Sequence, residues 1–525
     1  MSRAAIGRAA MLTLAVSVGL SALGVAPAHA LSRDDVRALQ SIADALAELR
    51  VEDAARQLEP LARREPEAPD VLEATARVRF HQGRYSDARD AIREAIRRGP
   101  DPRREALAEL LESTLRATTG YVESRSEDGR FVVLHAPGRD RHLVSYALRA
   151  MAAADRVLER ELGYRMPGPV RLEIFPTAAS LAEVSTLSLE AIERTGTIAL
   201  CKWDKLMVTS PRALLRGYPW MDTIAHEYVH LVLTRSSHDR APVWFQEGVA
   251  KFMERRWRED SLRPHLEPAS RGLLARALEQ DALIPFERIH PSIALLPSQQ
   301  DAALAFAQVS TFVAYYHETF GGDALRGAIE AMAEGTDAQA ALAARATTTW
   351  AALERGWKAS LGGLSADAPD LLPLRLRHGD APDDEARDVA ERARRWLRLG
   401  DMLWSRRRYG GAMHEYARAA ELAPDNPIIA ARLGRAAIAA GDPERAIRAL
   451  DPMAERYPEH APTWSSLARA RRMLGDRAGA LDAARAAIRL NPFDPSPHCD
   501  LAEVETDEQT RTEESDRCRA LGGSQ

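Results

Sequence analysis

Three textures of apolar and polar positions succeed one another along the chain. Between residues 385 and 493 the apolar positions follow a helical period inside a 34-residue repeat: Pro424, Pro458 and Pro492; Ala412, Ala446 and Ala480; Gly400, Gly434 and Ala468. Large residues fill the remaining columns, with Trp396, Leu399, Leu403, Tyr409 and Tyr416 in the first unit and Trp464 and Leu467 in the third. Small residues let two helices approach, large ones fill the gaps between them, and each Pro ends the second helix of its pair. The same ruler applied to residues 31–118 finds Pro66 and Pro100, Ala54 and Ala88, then Ala76, Gly83, Tyr85, Ile92 and Ala95, which predicts two more degenerate helical pairs. Between residues 119 and 362 the period vanishes. Residues 130–135 and 170–175 read as strands with a helix over 142–162 between them, and 196–201 and 206–209 flank the polar Lys202 to Lys205 as a hairpin. From Met221 to Trp357 the pattern is mostly helical, and strands followed by helices predict an α+β domain. A polar, Pro-containing stretch over 363–384 reads as a linker, and residues 494–525 as a polar capping helix with Leu501 inward.

The 34-residue unit resembles the tetratricopeptide repeat, and the expected architecture is multidomain, a central α+β unit between two all-α arrays. That resemblance implies concave surfaces for a protein partner. Residues 1–30 open with Arg3 and Arg8, continue in an apolar run from Ala9 to Val25 and end in Ala28-His29-Ala30, the pattern of a secretory signal peptide. The mature product is then expected in the periplasm or outside the cell, with no membrane span once the signal is removed, because no second long apolar run follows. Charge changes the picture by exclusion: 71 Lys+Arg against 76 Asp+Glu leave no basic surplus, so nucleic acid is not an expected partner. Cys499 and Cys518 are spaced to close a small loop, whereas Cys201 stands alone.

Candidate chemistry is concentrated in the middle. His226-Glu227-Tyr228-Val229-His230 carries two histidines four apart, which on a helix share one face and can reach one metal ion. Glu227 projects about 100° around the axis, where it can hold a water. The flanks Ile224, Ala225, Tyr228, Val229, Leu231, Val232 and Leu233 predict a buried helix, with Asp222 or Thr223 as its N-cap. Ionisable groups in a buried helix are costly unless something pairs them, and a metal does so. Pro242 is expected to open a second helix carrying Glu247 about one turn inside. His226, His230 and Glu247 form a two-His-one-Glu set that leaves zinc an open position, and Glu227 is the expected general base toward the attacking water.

The run from His226 to His230 together with Pro242-Val-Trp-Phe-Gln-Glu247-Gly-Val-Ala resembles the gluzincin metallopeptidases, in particular bacterial peptidase-MA-like domains fused to tetratricopeptide repeats. The resemblance implies a zincin-like α+β fold, zinc, hydrolysis of peptide or protein substrates, and a sheet edge beside the active-site helix that holds extended peptide. On that pattern the hairpin over 197–209 supplies the edge. One departure stands out. Phe306 falls where aminopeptidase-type relatives carry a Tyr that donates to the tetrahedral oxyanion, and Phe has no donor. Tyr315, Tyr316, His290 and His317 are alternatives by residue type. A weakly active or inactive metallopeptidase-like scaffold, working through its repeats, is therefore the rival expectation.

Overall fold

The computed structural model describes residues 31–259, 266–289, 293, 296–364 and 389–523. The expected signal segment, the linker beyond residue 364 and His290 lie outside the described residues. The chain begins with α1 (Arg33–Ala47), α2 (Val51–Arg64), α3 (Pro69–His81), α4 (Tyr85–Arg98) and α5 (Pro102–Ala117). Ser32 and Asp101 cap α1 and α5 by side-chain hydrogen bonds, and Pro69 and Pro102 occupy first-turn positions where a missing N–H costs nothing. Ala54, Ala76 and Ala88 are completely buried, so the small-residue columns mark the helix contacts.

The sheet follows. Its strands are β1 (Val122–Arg125) and β2 (Phe131–His135), then, after α6 (Val144–Leu162), β3 (Val170–Phe175), and after the short α7 (Ala178–Glu183) and α8 (Leu189–Thr195), the hairpin β4 (Ala199–Lys202) and β5 (Lys205–Thr209). The order is β1-β2-β3-β5-β4, with β2, β3 and β5 parallel and the two outer strands antiparallel to their neighbours. The strand pattern of the sequence missed β1, whose residues are mostly exposed and carry no alternation. The hairpin turn also departs from expectation. Trp203 and Asp204 both adopt positive φ (54° and 60°), as a two-residue turn between twisted strands demands, but Lys205 is fully buried and not part of a polar surface.

The remainder of the central unit is helical: α9 (Trp220–Ser236), α10 (Val243–Met253), α11 (Pro268–Glu279), α12 (Phe286–Ile289), α13 (Gln299–Ala333, broken at Gly321), α14 (Ala338–Arg345) and α15 (Trp350–Ser360). The expected N-cap of α9 is corrected. The helix starts at Trp220 because Tyr218 and Trp220 are anchored earlier, by Tyr218 N–H to Leu490 O (3.0 Å) and Trp220 Nε1–H to Ile488 O (3.4 Å). Asp222 instead sits buried in the first turn, accepting from Trp257 Nε1 and Arg258.

The second array comprises α16 (Glu391–Ser405), α17 (Tyr409–Leu422), α18 (Pro427–Ala439), α19 (Pro443–Arg456), α20 (Ala461–Met473) and α21 (Arg477–Leu490). The glycine column has a direct cause: a Cβ on Gly434 would lie 2.6 Å from Leu450 Cδ1 on the paired helix. The capping segment is a helix pair and not a single helix, α22 (Pro495–Val504) and α23 (Glu508–Ala520), joined by the disulfide Cys499–Cys518. Among the described residues no helix is long and apolar enough to cross a membrane.

Candidate metal centre

Helix α9 is apolar on nearly every side and passes between α6 and the β4–β5 hairpin, with Ile224, Tyr228, Leu231 and Leu233 fully buried. Its one polar stripe carries His226 and His230. Helix α10 is drawn against α13 at Gly248, where a Cβ would come within 2.8 Å of Val309 O, and this close approach turns the preceding Glu247 toward the histidines.

The three side chains converge. His226 Nε2 lies 3.2 Å from His230 Nε2, and Glu247 Oε2 lies 3.4 Å from His226 Nε2 and 3.5 Å from His230 Nε2. Tetrahedral zinc bonds of 2.0–2.1 Å imply ligand-to-ligand edges of about 3.3–3.4 Å, so the triangle fits one zinc ion. Its outer partners fix which ring nitrogen carries hydrogen. Glu254 Oε2 accepts from His226 Nδ1 at 3.2 Å and is itself held by Lys251 Nζ at 2.7 Å on Oε1. Gln246 donates its amide to Ala241 O (2.8 Å), leaving Oε1 to face His230 Nδ1 at 3.4 Å. With each Nδ1 engaged outward, the two Nε2 atoms and the Glu247 carboxylate meet around room for one cation, a proton or a metal ion. Although burial disfavours a charged ring, the hydrogen bonds to Glu247 and Glu254 push His226 up to about 10. Burial would raise Glu247 too, but the two histidines hold it far below the carboxylate range.

Glu227, 8% exposed, lies off this triangle. Burial raises its carboxyl above the ordinary value, while His230, His226 and the backbone N–H of Cys201 pull the other way. The centre opens into a cleft of about 1050 Å³ whose lining includes Ala199, Leu200 and Cys201 of β4, His226, Glu227 and His230 of α9, Glu247, Lys251 and Glu254, and Phe306 of α13. Strand β4 is the outer strand of the sheet. Since Lys202 faces Lys205 across the two-residue turn and Ile198 O accepts from Thr209 N–H, alternation turns Ala199 and Cys201 away from β5: the Cys201 N–H meets Glu227, while the Ala199 N–H and C=O and the Cys201 C=O face the cleft.

Residues 151–363 match the family described as Peptidase MA superfamily, and residues 40–101 and 403–471 match tetratricopeptide repeats. The central unit is a Peptidase MA superfamily domain flanked by tetratricopeptide repeats. Among curated proteins none matches the chain. Solved structures similar to parts of it include the Sgt2 TPR domain from Aspergillus fumigatus, at 24% identity over 25% of this chain and 84% of that one, with a TM-score of 0.22. A thermophilic TPR protein of Thermus thermophilus is 22% identical over 25% of this chain and 72% of that one, TM-score 0.22. The APC/C hetero-tetramer Cut9-Hcn1 is 12% identical over 94% and 80% of the two chains, TM-score 0.25.

Within the Peptidase MA domain, Phe306 does line the cleft, and Tyr315, Tyr316 and His317 do not. Tyr316 Oη donates to Leu342 O at 3.0 Å, Tyr315 lies against Gly356, and His317 Nε2 faces Glu161 at 3.2 Å, all away from the cleft. Sequence reasoning missed Glu254, Gln246 and Lys251. Glu254 follows Glu247 by seven residues, two turns along the same stripe of α10, and that spacing was the available signal.

Proposed function

We propose that this chain is an exported zinc-dependent peptidase of the gluzincin type, with a zincin-like α+β centre and repeats that engage a protein substrate or partner. The observation that carries the reading is the triangle of His226 Nε2, His230 Nε2 and Glu247 Oε2, with edges of 3.2–3.5 Å and both imidazole tautomers fixed from behind. His226, His230 and Glu247 would hold the ion. When bound, zinc supplies Lewis-acid polarisation of the scissile carbonyl and of the attacking water.

The chain's own residues supply the rest. The Ala199 N–H and C=O and the Cys201 C=O offer backbone hydrogen bonds to an extended peptide, adding it as a strand beside β4. Glu227, one residue from a ligand and with a carboxyl raised by burial, takes the proton of the attacking water and returns it to the leaving amine. Glu254 and Gln246 orient the ligand rings. Export is supported by the leader over 1–30 with its Ala28-His29-Ala30 end and by the Cys499–Cys518 disulfide, which suits an oxidising compartment.

Phe306 favours a second reading, a metal-holding scaffold that cleaves poorly. It lines the cleft without a donor, and nearby Ser310 donates to Ala307 O within its own helix. Losing one oxyanion donor costs about 100- to 1000-fold in rate. The test separates the two: measure zinc content of the protein from Leu31 onward, and cleavage of an unfolded protein mixture by wild type and by Glu227→Gln. Stoichiometric zinc with cleavage lost in the variant supports the peptidase. Equal traces from both proteins, with zinc present, support the scaffold, and absence of zinc refutes both.

A further inference from the structure

The hairpin that carries β4 is held from outside the Peptidase MA domain, by the first helical array. At its turn, the Trp203 ring packs on Phe80 of α3 with centroids 5.0 Å apart. Directly behind, the fully buried Lys205 at the start of β5 donates to Tyr85 Oη of α4 at 2.5 Å and stands 4.5 Å from the centroids of both Phe80 and Tyr85. Tyr85 in turn donates to Glu173 on β3, which also accepts from Arg171 at 2.8 Å. Gly83, at φ +73°, completes the fit, since a Cβ there would lie 2.7 Å from the Arg171 guanidinium. On the far side of the turn, Asp204 faces Arg235 of α9 at 3.6 Å, and Arg235 reaches Glu52 of α2 at 2.8 Å.

These contacts are unlike those of a tethered adaptor. Trp203 and Leu134 of the sheet share one apolar cluster with Ala76, Phe80, Tyr85, Ala88 and Ile92 of the array. A buried ammonium is costly to desolvate, and here the Glu173 carboxylate at 3.7 Å, two array aromatics and one array hydroxyl compensate it. Strand β5 is paired to β3 on its other side and β4 packs on α9, but the turn between them takes its aromatic partners from the array, and the outer side of β4 faces the open cleft.

We propose that Phe80 and Tyr85 of the first array are positioning residues for the peptide-binding strand, holding the β4–β5 hairpin so that the Ala199 N–H and C=O and the Cys201 C=O stay aligned along the cleft. The inference rests on the peptidase reading for its kinetic consequence, but not for its structural one. The first array is then part of the catalytic body, and whatever pushes on α3 or α4 is felt at the substrate edge.

The test uses the full mature chain carrying Phe80→Ala, with Phe80→Leu as the bulk-retaining rescue and Tyr85→Phe as a milder variant should the first fail to fold. Hydrogen exchange is followed at residues 199–209 with α9 as internal reference. Expected is acceleration of about tenfold or more in β4 for Phe80→Ala, less for Tyr85→Phe, with α9 protection and zinc content unchanged. In peptide cleavage KM is expected to rise about fivefold or more with kcat within about twofold, and Phe80→Leu to recover most of it. Global destabilisation would instead accelerate exchange everywhere and lower kcat with the active fraction. A folded Phe80→Ala or Tyr85→Phe protein with wild-type exchange in β4 overturns the proposal. Failure of wild type to cleave peptides overturns the peptidase reading alone, because the exchange measurement needs no activity.

Discussion

Glu254 provides the sharpest quantitative test of the proposed metal centre, because it is not one of the proposed ligands yet sets the chemistry of one, His226. Its carboxylate is nearly buried, accepts from His226 Nδ1 at 3.2 Å on one oxygen and from Lys251 at 2.7 Å on the other. Glu254→Gln preserves the shape and one acceptor but removes the negative charge that makes the imidazole a better donor to a cation. Outer partners of ligating histidines are worth about 10- to 100-fold in metal affinity. The 3.2 Å separation is long for a charge-assisted bond, which argues for the lower half of that range, about 10- to 30-fold or roughly 1.4–2 kcal/mol. The assay is competition for zinc against a chromophoric chelator at pH 7.5, with far-ultraviolet circular dichroism to establish folding. Glu267→Gln is the control: it removes the same charge from the lining of the same cleft. That control should stay within about threefold of wild type, since Glu267 acts on Lys251 and Glu459 and meets neither histidine. A folded Glu254→Gln protein whose zinc affinity lies within twofold of wild type would show that His226 is oriented by something else.

Glu227→Gln should keep wild-type zinc affinity and lose hydrolysis by about 100- to 10,000-fold, read in the same cleavage assay, and retained cleavage would remove Glu227 from the base role. Phe306→Tyr should raise kcat if the cleft lacks an oxyanion donor at that position; an unchanged kcat would place the donor elsewhere. Cys499→Ser opens a loop whose ends are 19 residues apart, so it should cost about 3 kcal/mol in urea unfolding of the disulfide-bonded protein, with cleavage little changed. The fully buried His460 is held down to about 3 by burial, with Arg216 adding to the effect, against an ordinary value of 6.5. Its folded value is depressed, so its contribution is present above pH 6.5 and is lost as pH falls toward 3, about 2–3 kcal/mol by pH 4.5. His460→Gln should therefore lose less stability than wild type between pH 7.5 and 4.5, and equal losses in urea titrations would refute this.

What could be read from the chain alone follows the range of the forces involved. The repeat columns were legible because each records a local necessity: Ala412, Ala446 and Ala480 are all fully buried where helices cross. The convergence of His226, His230 and Glu247 was legible because two of them share a helix face and the third lies one turn into the next helix, so short-range spacing carried the geometry. The start of α9 was not, because Tyr218 and Trp220 take their hydrogen bonds from the carbonyls of Leu490 and Ile488 in another array. Nor was the fate of Lys205. In a window of Lys202-Trp203-Asp204-Lys205 it reads as a solvated turn, and only the distant Phe80, Tyr85 and Glu173 make its burial tolerable. Strand β1 was missed for a related reason, since an exposed edge strand has no buried face to impose alternation.

The first two of these failures share a direction. Each lies where an array meets the central domain, and each concerns a segment that forms a wall of the cleft or leads into one. The first array holds the hairpin of β4 through Phe80 and Tyr85, and the second anchors the entry to α9 through the carbonyls of α21, six residues before His226. In the proposed peptidase, β4 and α9 must keep their separation to within a fraction of an ångström for a water and a carbonyl to meet beside one ion. Neither element can secure that alone, since β4 is four residues long with one open side and α9 begins without a side-chain cap. The two arrays hold both elements: the first grips the hairpin and, through Glu52 and Arg235, the far part of α9, and the second anchors the entry to α9. Isolated residues 119–362 are therefore a poor surrogate for the full chain: the excised segment would expose the buried Lys205 and free the α9 entry, losing the alignment even where His226, His230 and Glu247 remained intact.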